Sequence, residues 1–342
     1  MNGTTRPDPD AAYPITDHCD GRRFFNPAGR PQARSFSELP RWWWQRLRGQ
    51  GSRWPAPVPA PRRPVLPPSV PAGHVAATFV GHATFLLQLP GLNVLTDPVF
   101  AARAGPFDLL GPRRVRPPAL EPAGLPPIGL VLLSHCHYDH LDLTALRHLT
   151  RAHRPAVVTT LGNRRWLEAR GVERVVELDW WQEHRVHDGV TVACTPAQHF
   201  AARTLWDRNL TLWGGLVLRT GHGTIYFAGD SGWTPAFAEV GARLGPFDLS
   251  LLPIGAYEPR WFMESVHMNP DEAVRAHLAV RSRRSLGMHF GTFQLTDEAI
   301  DAPLHELAEA RRTHGVTPEA FDTLDFGETR LIGLGRENGE AP

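Results

Sequence analysis

Ser134-His135-Cys136-His137-Tyr138-Asp139-His140 follows directly on the apolar run at residues 128–133, and no other feature restricts the fold of this chain as much. A short apolar run closed by polar residues reads as a buried strand. Residues at the C-terminal end of such a strand sit on a sheet rim, where a loop can turn several imidazoles and a carboxylate toward one point. His135 and His137 can chelate one ion, while Asp139 and His140 face a second beside it. A lone histidine is usually a satisfied structural residue, but three His and one Asp within six residues are not explained that way. Imidazole nitrogen with carboxylate oxygen suits Zn²⁺, with Mn²⁺ or Fe²⁺ as alternatives, because affinity alone does not select the metal in a cell.

The pattern around this segment predicts strands at 75–80, 84–89, 92–95, 157–160 and 190–195, then at 212–218, 224–227, 249–252 and 286–289. Helical patterns at 163–170, 235–244, 271–280 and 297–313 lie between the later strands. Early hairpins followed by strand-helix alternation predict an α/β domain over residues 72–335, with two packed mixed sheets flanked by helices in four αββα layers. No repeat of fixed period stands out. Residues 1–71 read as a Pro/Arg-rich leader and 336–342 as a tail; the alternating prolines of 55–61 suit neither a helix nor a central strand. Within the leader, Trp42, Trp43 and Trp44 stand among Arg41, Arg46 and Arg48 in one or two expected helical turns. They either pack the leader onto the body or dip into a membrane interface.

Composition narrows the function. Lys+Arg of 36 against Asp+Glu of 35 leaves a net charge of +1, so no global field draws the chain to nucleic acid, and any preference for anions must be local. Every cation among these is Arg, the mark of a biased composition, so arginine clusters carry less functional weight here. Cys19, Cys136 and Cys194 are too few and too scattered for a disulfide framework, which fits a reducing cytoplasm. Residues 1–20 lack a secretory pattern, and no stretch reaches the roughly 18–20 apolar residues of a membrane span.

Several further segments resemble the N-acylphosphatidylethanolamine-hydrolysing phospholipase D branch of the metallo-β-lactamase superfamily. They are Phe25-Asn26-Pro27, Gly81-His82-Ala83-Thr84, Leu95-Thr96-Asp97-Pro98, Asp179-Trp180-Trp181, Pro196-Ala197-Gln198-His199, Ala228-Gly229-Asp230 and the run at 253–263. The HxHxDH pattern alone marks only the superfamily; Asp179-Trp180-Trp181 and 255–263 are closer to this branch. The resemblance implies two Zn²⁺ per chain: His199 joins His135 and His137 on one ion, His289 joins Asp139 and His140 on the other, and Asp230 bridges them. Asp97 is either an acceptor that orients a ligand imidazole or a plain turn residue. Cys136 departs from the Asn expected in this branch, with its side chain alternating away from the flanking histidines.

The implied reaction hydrolyses N-acylphosphatidylethanolamine, or a related glycerophosphodiester, to phosphatidic acid and an N-acylethanolamine. Two divalent ions, less Asp139, Asp230 and a hydroxide, leave about one net positive charge, which suits a phosphodiester monoanion. The alternative is a lactonase or another ester hydrolase of the same fold; a nuclease or a non-catalytic metal-binding protein fits the residues less well. Asp139 and His267 are the candidate catalytic residues. His267 either packs or caps at the entry of the helix expected from residue 271, or reaches the metal rim to orient phosphate or protonate the leaving alkoxide. Gly229-Asp230-Ser231-Gly232 resembles a serine-protease nucleophile loop without the rest of that family's signatures. Gly333-Leu334-Gly335 imitates a dinucleotide loop with no helix to follow. The expected partner is a phospholipid or small anionic ester rather than nucleic acid, with peripheral membrane contact through the leader and a homodimer as further expectations.

Overall fold

The computed structural model describes residues 13–27, 32–34, 36–55 and 58–335. The sequence places β1 (His74–Gly81), β2 (Thr84–Leu89), β3 (Leu92–Thr96), β4 (Leu130–Leu133), β5 (Ala156–Thr160) and β6 (Val175–Leu178) in one sheet. The second sheet holds β7 (Glu183–His187), β8 (Val190–Thr195), β9 (Gly215–Thr220), β10 (Gly223–Phe227), β11 (Leu249–Pro253), β12 (Ser285–Met288) and β13 (Phe321–Asp322). The last strand, β14 (Thr329–Gly333), returns to pair with β1. The helices are α1 (Leu39–Leu47), α2 (Leu143–His153), α3 (Arg164–Glu168), α4 (Ala236–Leu244), α5 (Arg260–Met263), α6 (Pro270–Ala279) and α7 (Ala302–His314). Leu86, Val131, Leu216 and Leu251, drawn from both sheets, are fully buried in a single cluster, so one core serves the whole body.

The strand orders are β14-β1-β2-β3-β4-β5-β6 and β13-β12-β11-β10-β9-β8-β7. In the first sheet antiparallel pairing runs from β14 to β3 and parallel pairing from β3 to β6. The second repeats this grammar, antiparallel from β7 to β10 and parallel from β10 to β13. The repeat absent from the letters is therefore present in the topology. Its consequence is functional: β3 and β4 end on one rim of the first sheet, and β8, β10, β11 and β12 end on one rim of the second.

Several elements differ from expectation for identifiable reasons. β7 is an edge strand whose side chains are mostly exposed, so it carries no apolar alternation. The helix expected from 297 starts only at Ala302, because Asp297 turns away to hold the leader. The strand expected from 212 begins at Gly215. α2, which the sequence reading passed over, is capped by Asp142, whose side chain accepts from Ala145 N, and closed by Arg154 in the left-handed region. The tail at 336–342 and leader residues 1–12 lie outside the described residues.

The leader is attached at several points. Phe24 and Cys19 are buried in the main core. His18 Nε2 lies 2.8 Å from Asp179 Oδ1, and the His18 ring stacks on Trp180 at 4.4 Å. On α1, Trp42 is buried among Met263, Val266 and Phe262 and donates its indole N–H to Asp297, which also pairs with Arg46 Nε at 3.0 Å. Its neighbours differ: Trp43 is 67% and Trp44 57% exposed. Trp42→Ala is accordingly expected to lower unfolding free energy by about 3 kcal/mol in a denaturant titration. Trp43→Ala and Trp44→Ala should each stay within about 0.5 kcal/mol of wild type.

Candidate metal centre

Chain geometry brings all seven residues expected as ligands to one place. His135, His137, Asp139 and His140 leave the end of β4; His199 follows β8, Asp230 follows β10 and His289 follows β12. Gly229 makes the Asp230 position accessible: its φ is +61°, and a Cβ there would lie 2.7 Å from Ser134 Cβ and 2.9 Å from Gly214 O. Arg203 holds the ligand loop, its Nη1 donating to Cys136 O at 2.6 Å and Leu141 O at 3.0 Å while the guanidinium lies 3.9 Å over Tyr138.

The donor atoms form two adjoining groups. In the first, His137 Nδ1 lies 2.8 Å from His135 Nε2 and 3.2 Å from His199 Nε2. In the second, His289 Nε2 lies 3.1 Å from His140 Nε2 and 3.3 Å from Asp139 Oδ2. Asp230 Oδ2 joins them, at 3.1 Å from His140 Nε2, 3.1 Å from His289 Nε2 and 3.9 Å from His199 Nε2. Ligand atoms on a tetrahedral ion with bonds of roughly 2.0–2.1 Å stand about 3.3 Å apart. Asp230 Oδ1 is buried with no hydrogen-bond partner, an arrangement costly for a carboxylate unless a cation satisfies it. The residues therefore fit a pair of divalent ions.

Three of the ligand imidazoles are oriented from behind through their other ring nitrogen, while Nδ1 of His289 is buried without a partner. His140 Nδ1 donates to Asp97 Oδ2 at 2.6 Å, and Asp97 also accepts from Ser134 N at 2.8 Å and Ser134 Oγ at 2.6 Å. His135 Nδ1 meets Ser134 Oγ at 2.9 Å, and His199 Nδ1 donates to Val266 O at 2.9 Å. Of the two readings of Asp97, the geometry realises the orienting one. Cys136 accepts from Thr211 Oγ1 at 3.2 Å, away from the cluster, and Ser231 spends its hydroxyl on Gln198 N and Gly232 O.

Charge divides the site. Burial lowers the pKa of His137 to about 3 and of His199 to about 4 and holds His135 well down, so these imidazoles are neutral and ready to ligate. Burial opposes charge on His289 too, but Asp230 and Asp139 outweigh it and raise its pKa to about 9; His140 is raised well above its usual value by the same carboxylates. Despite burial, Asp139 and Asp230 stay well below the usual range, held there first by His140. Without metal, protons on His140 and His289 supply the positive charge that a cation would bring.

His267 lies at the same centre, its Nδ1 3.8 Å from Asp230 Oδ2 and its ring 5.0 Å from that of His199. The capping role belongs instead to Asn269, which forms a capping box with Glu272 on α6. One residue went unassigned from the sequence: His82, in the turn between β1 and β2, places Nε2 3.1 Å from Asp139 Oδ2. His82 forms a possible donor group with Asp139, His140 and His289, all four ligand atoms lying within 4.8 Å of one another.

Two sheets enclosing a His/Asp cluster at their common rim define a metal-dependent hydrolase of the metallo-β-lactamase fold. Residues 92–290 match the family described as the Beta-lactamase superfamily domain. The chain is 42% identical to the Caenorhabditis elegans N-acyl-phosphatidylethanolamine-hydrolyzing phospholipase D 1 over 74% of each protein. It is 32% identical to the mitochondrial N-acyl-phosphatidylethanolamine-hydrolyzing phospholipase D of Saccharomyces cerevisiae, over 67% of this chain and 50% of that protein. A metallo hydrolase from Ignicoccus hospitalis shares the fold, with a TM-score of 0.59 and 20% identity over 77% of this chain and 100% of that one. The chain belongs to the beta-lactamase superfamily, in its N-acylphosphatidylethanolamine-hydrolysing phospholipase D branch.

Proposed function

We propose that this chain is a binuclear zinc-dependent phosphodiesterase of phospholipase D type, which converts N-acylphosphatidylethanolamine-like glycerophospholipids to phosphatidic acid and an N-acylethanolamine. The observation that carries this reading is Asp230 Oδ2, placed within reach of imidazoles from both donor groups. His135, His137 and His199 would hold one ion, Asp139, His140 and His289 the other, and Asp230 both. Such a pair supplies Lewis acidity toward a phosphoryl oxygen and makes water nucleophilic near neutral pH. Incubation of zinc-loaded protein with N-acylphosphatidylethanolamines, simple phosphodiesters and lactones should release N-acylethanolamine from the first. Opening of lactones without diester cleavage would overturn the assignment.

His267 contributes as a hydrogen-bond donor in this reading. Burial pushes its pKa well below the ordinary imidazole value, with His199 and His289 adding to the effect against Asp230, so the resting ring is neutral and carries one N–H. A neutral imidazole at the rim can donate to a phosphoryl or leaving oxygen without starting as an imidazolium acid. A hydrogen bond to a charged group contributes about 1.5–3 kcal/mol, so His267→Ala should lower kcat/KM roughly 10- to 100-fold on alkyl and nitrophenyl diesters alike. Loss confined to the alkyl diester, whose leaving group needs a proton, would make His267 the general acid instead.

The exposed face of α1 supports a peripheral contact with lipid at the cytoplasmic membrane surface. Trp43, Trp44 and Leu47 are exposed there, and Arg48 lies 4.7 Å over the Trp44 ring. Among the described residues no helix is long and apolar enough to cross a membrane. Because residues 13–27 are wedged into the body, the clean test is Trp43→Ala with Trp44→Ala rather than truncation. The pair should slow turnover of vesicle-bound substrate several-fold and leave a short-chain soluble diester unchanged; equal rates on vesicles would remove the lipid role.

A further inference from the structure

The Gly81-His82-Ala83-Thr84 segment has no part in the function described so far, yet His82 sits in an unusual place. Its side chain is buried at the β1–β2 turn, and its φ of +58° lies in the left-handed region, which glycine enters without strain. His82 also ties together two of the residues assigned to the second ion. Its Nε2 lies 3.1 Å from Asp139 Oδ2, while its backbone carbonyl accepts from His289 N at 2.9 Å. Its own N–H donates to Thr292 Oγ1 at 3.0 Å, and the Phe293 ring meets the imidazole edge-on at 5.1 Å, fixing the turn from the far side.

Two roles are chemically open to an imidazole so placed: fourth ligand of the second ion, or donor to the carboxylate that ligates it. Position separates them first: His140 and His289 each bring Nε2 to 3.1 Å from the shared Asp230 Oδ2, whereas His82 Nε2 is directed at Asp139 Oδ2. Nδ1 of His82 is buried and has no hydrogen-bond partner. If the Nε2 lone pair bound an ion, the ring proton would reside on Nδ1 as a buried N–H with no acceptor, adding a second such group to the one at His289, whose Nδ1 is likewise unpartnered. With the proton on Nε2, the N–H meets Asp139 Oδ2 and only a lone pair is left unmet at Nδ1, which is the milder deficit. Protonating both nitrogens would again orphan Nδ1–H.

We propose that His82 is a positioning residue of the metal centre: it donates Nε2–H to Asp139 Oδ2, fixes that carboxylate toward the second ion, and does not itself ligate. The proposal rests on the binuclear reading above. The experiment measures stepwise Zn²⁺ affinity by chelator competition in wild type, His82→Gly and His82→Gln. Glycine removes the donor and suits the positive φ, so backbone strain does not confuse the result; glutamine returns an N–H donor near the position of Nε2 but offers no imidazole lone pair.

Removing such an outer partner typically weakens metal binding by about 10- to 100-fold. His82→Gly should therefore bind its second zinc about 10- to 100-fold more weakly, with the first within about threefold of wild type, and His82→Gln should recover most of the loss. His82→Gly should also lower the melting temperature of metal-free protein, because it empties buried space, but a folding cost does not single out the second zinc, so an intact first step separates the two effects. If glutamine fails as badly as glycine, His82 is a ligand; if glycine changes neither affinity, the side chain only fills space. Wild type taking up fewer than two zinc ions would remove the binuclear reading, and this proposal with it.

Discussion

Asp230→Ala is expected to reduce the zinc content of reconstituted protein from about two ions per chain to one or none, and to lower turnover on the order of 10³-fold or more. The magnitude follows from geometry, since Asp230 Oδ2 stands 3.1 Å from two imidazole nitrogens of one donor group and 3.9 Å from one of the other. Its loss weakens both sites at once, whereas Asp139→Ala should chiefly empty the second and His199→Ala the first. Zinc uptake should also displace protons. The His289 pKa of about 9 means that this ring is protonated at pH 7 in the metal-free protein, so cation and proton compete for the same nitrogen. Second-site affinity should therefore rise with pH through about 9, and the proton held by His140, whose pKa is also raised well above the ordinary imidazole value, extends the rise. Elemental analysis returning a single ion per wild-type chain after full reconstitution would falsify the binuclear arrangement.

The legible part of this site was local. His135, His137, Asp139 and His140 stand in one loop after one strand, so spacing alone showed that they could converge. His199, Asp230 and His289 reach the same point from three other strand ends, and only resemblance to a family joined them; nothing in their own flanking residues specifies the contact. His82 left a weaker trace. It stands in the tight turn between two apolar strands, a place readable from the letters, but Asp139 as its partner exists only once the sheet has formed. The fold followed the same division. β2 and β8 were readable to the residue because burial on both faces leaves runs rich in apolar and β-branched residues, while the exposed edge strand β7 and the short β13 carry no such signal. α2 was missed because Asp142, which caps it, stands at the end of the metal motif and was absorbed into that motif.

Asp97→Ala is expected to cost about 3–5 kcal/mol of stability and about 10- to 100-fold in second-site zinc affinity. Asp97 has no exposed surface, and its carboxylate accepts three hydrogen bonds, from Ser134 N, Ser134 Oγ and His140 Nδ1. Its backbone is pinned independently: Asp97 N donates to Leu132 O at 2.9 Å, and Asp97 O accepts from Thr84 Oγ1 at 2.7 Å. Alanine would keep these main-chain bonds at a further cost in strain, since φ here is +27°, and would strand three buried donors, the situation in which loss of one partner costs more than the bond itself contributed. His140 would lose the acceptor that keeps its proton on Nδ1 and its Nε2 lone pair turned toward the ion. Asp97→Asn should fall between alanine and wild type, because the amide keeps the shape and one acceptor oxygen while turning its NH₂ toward a donor. Denaturant titrations with and without chelator separate the two effects: the stability loss should persist in metal-free protein, whereas the affinity loss appears only in zinc competition. A change below about 0.5 kcal/mol with unaltered zinc affinity would return Asp97 to the plain turn residue that the sequence equally allowed.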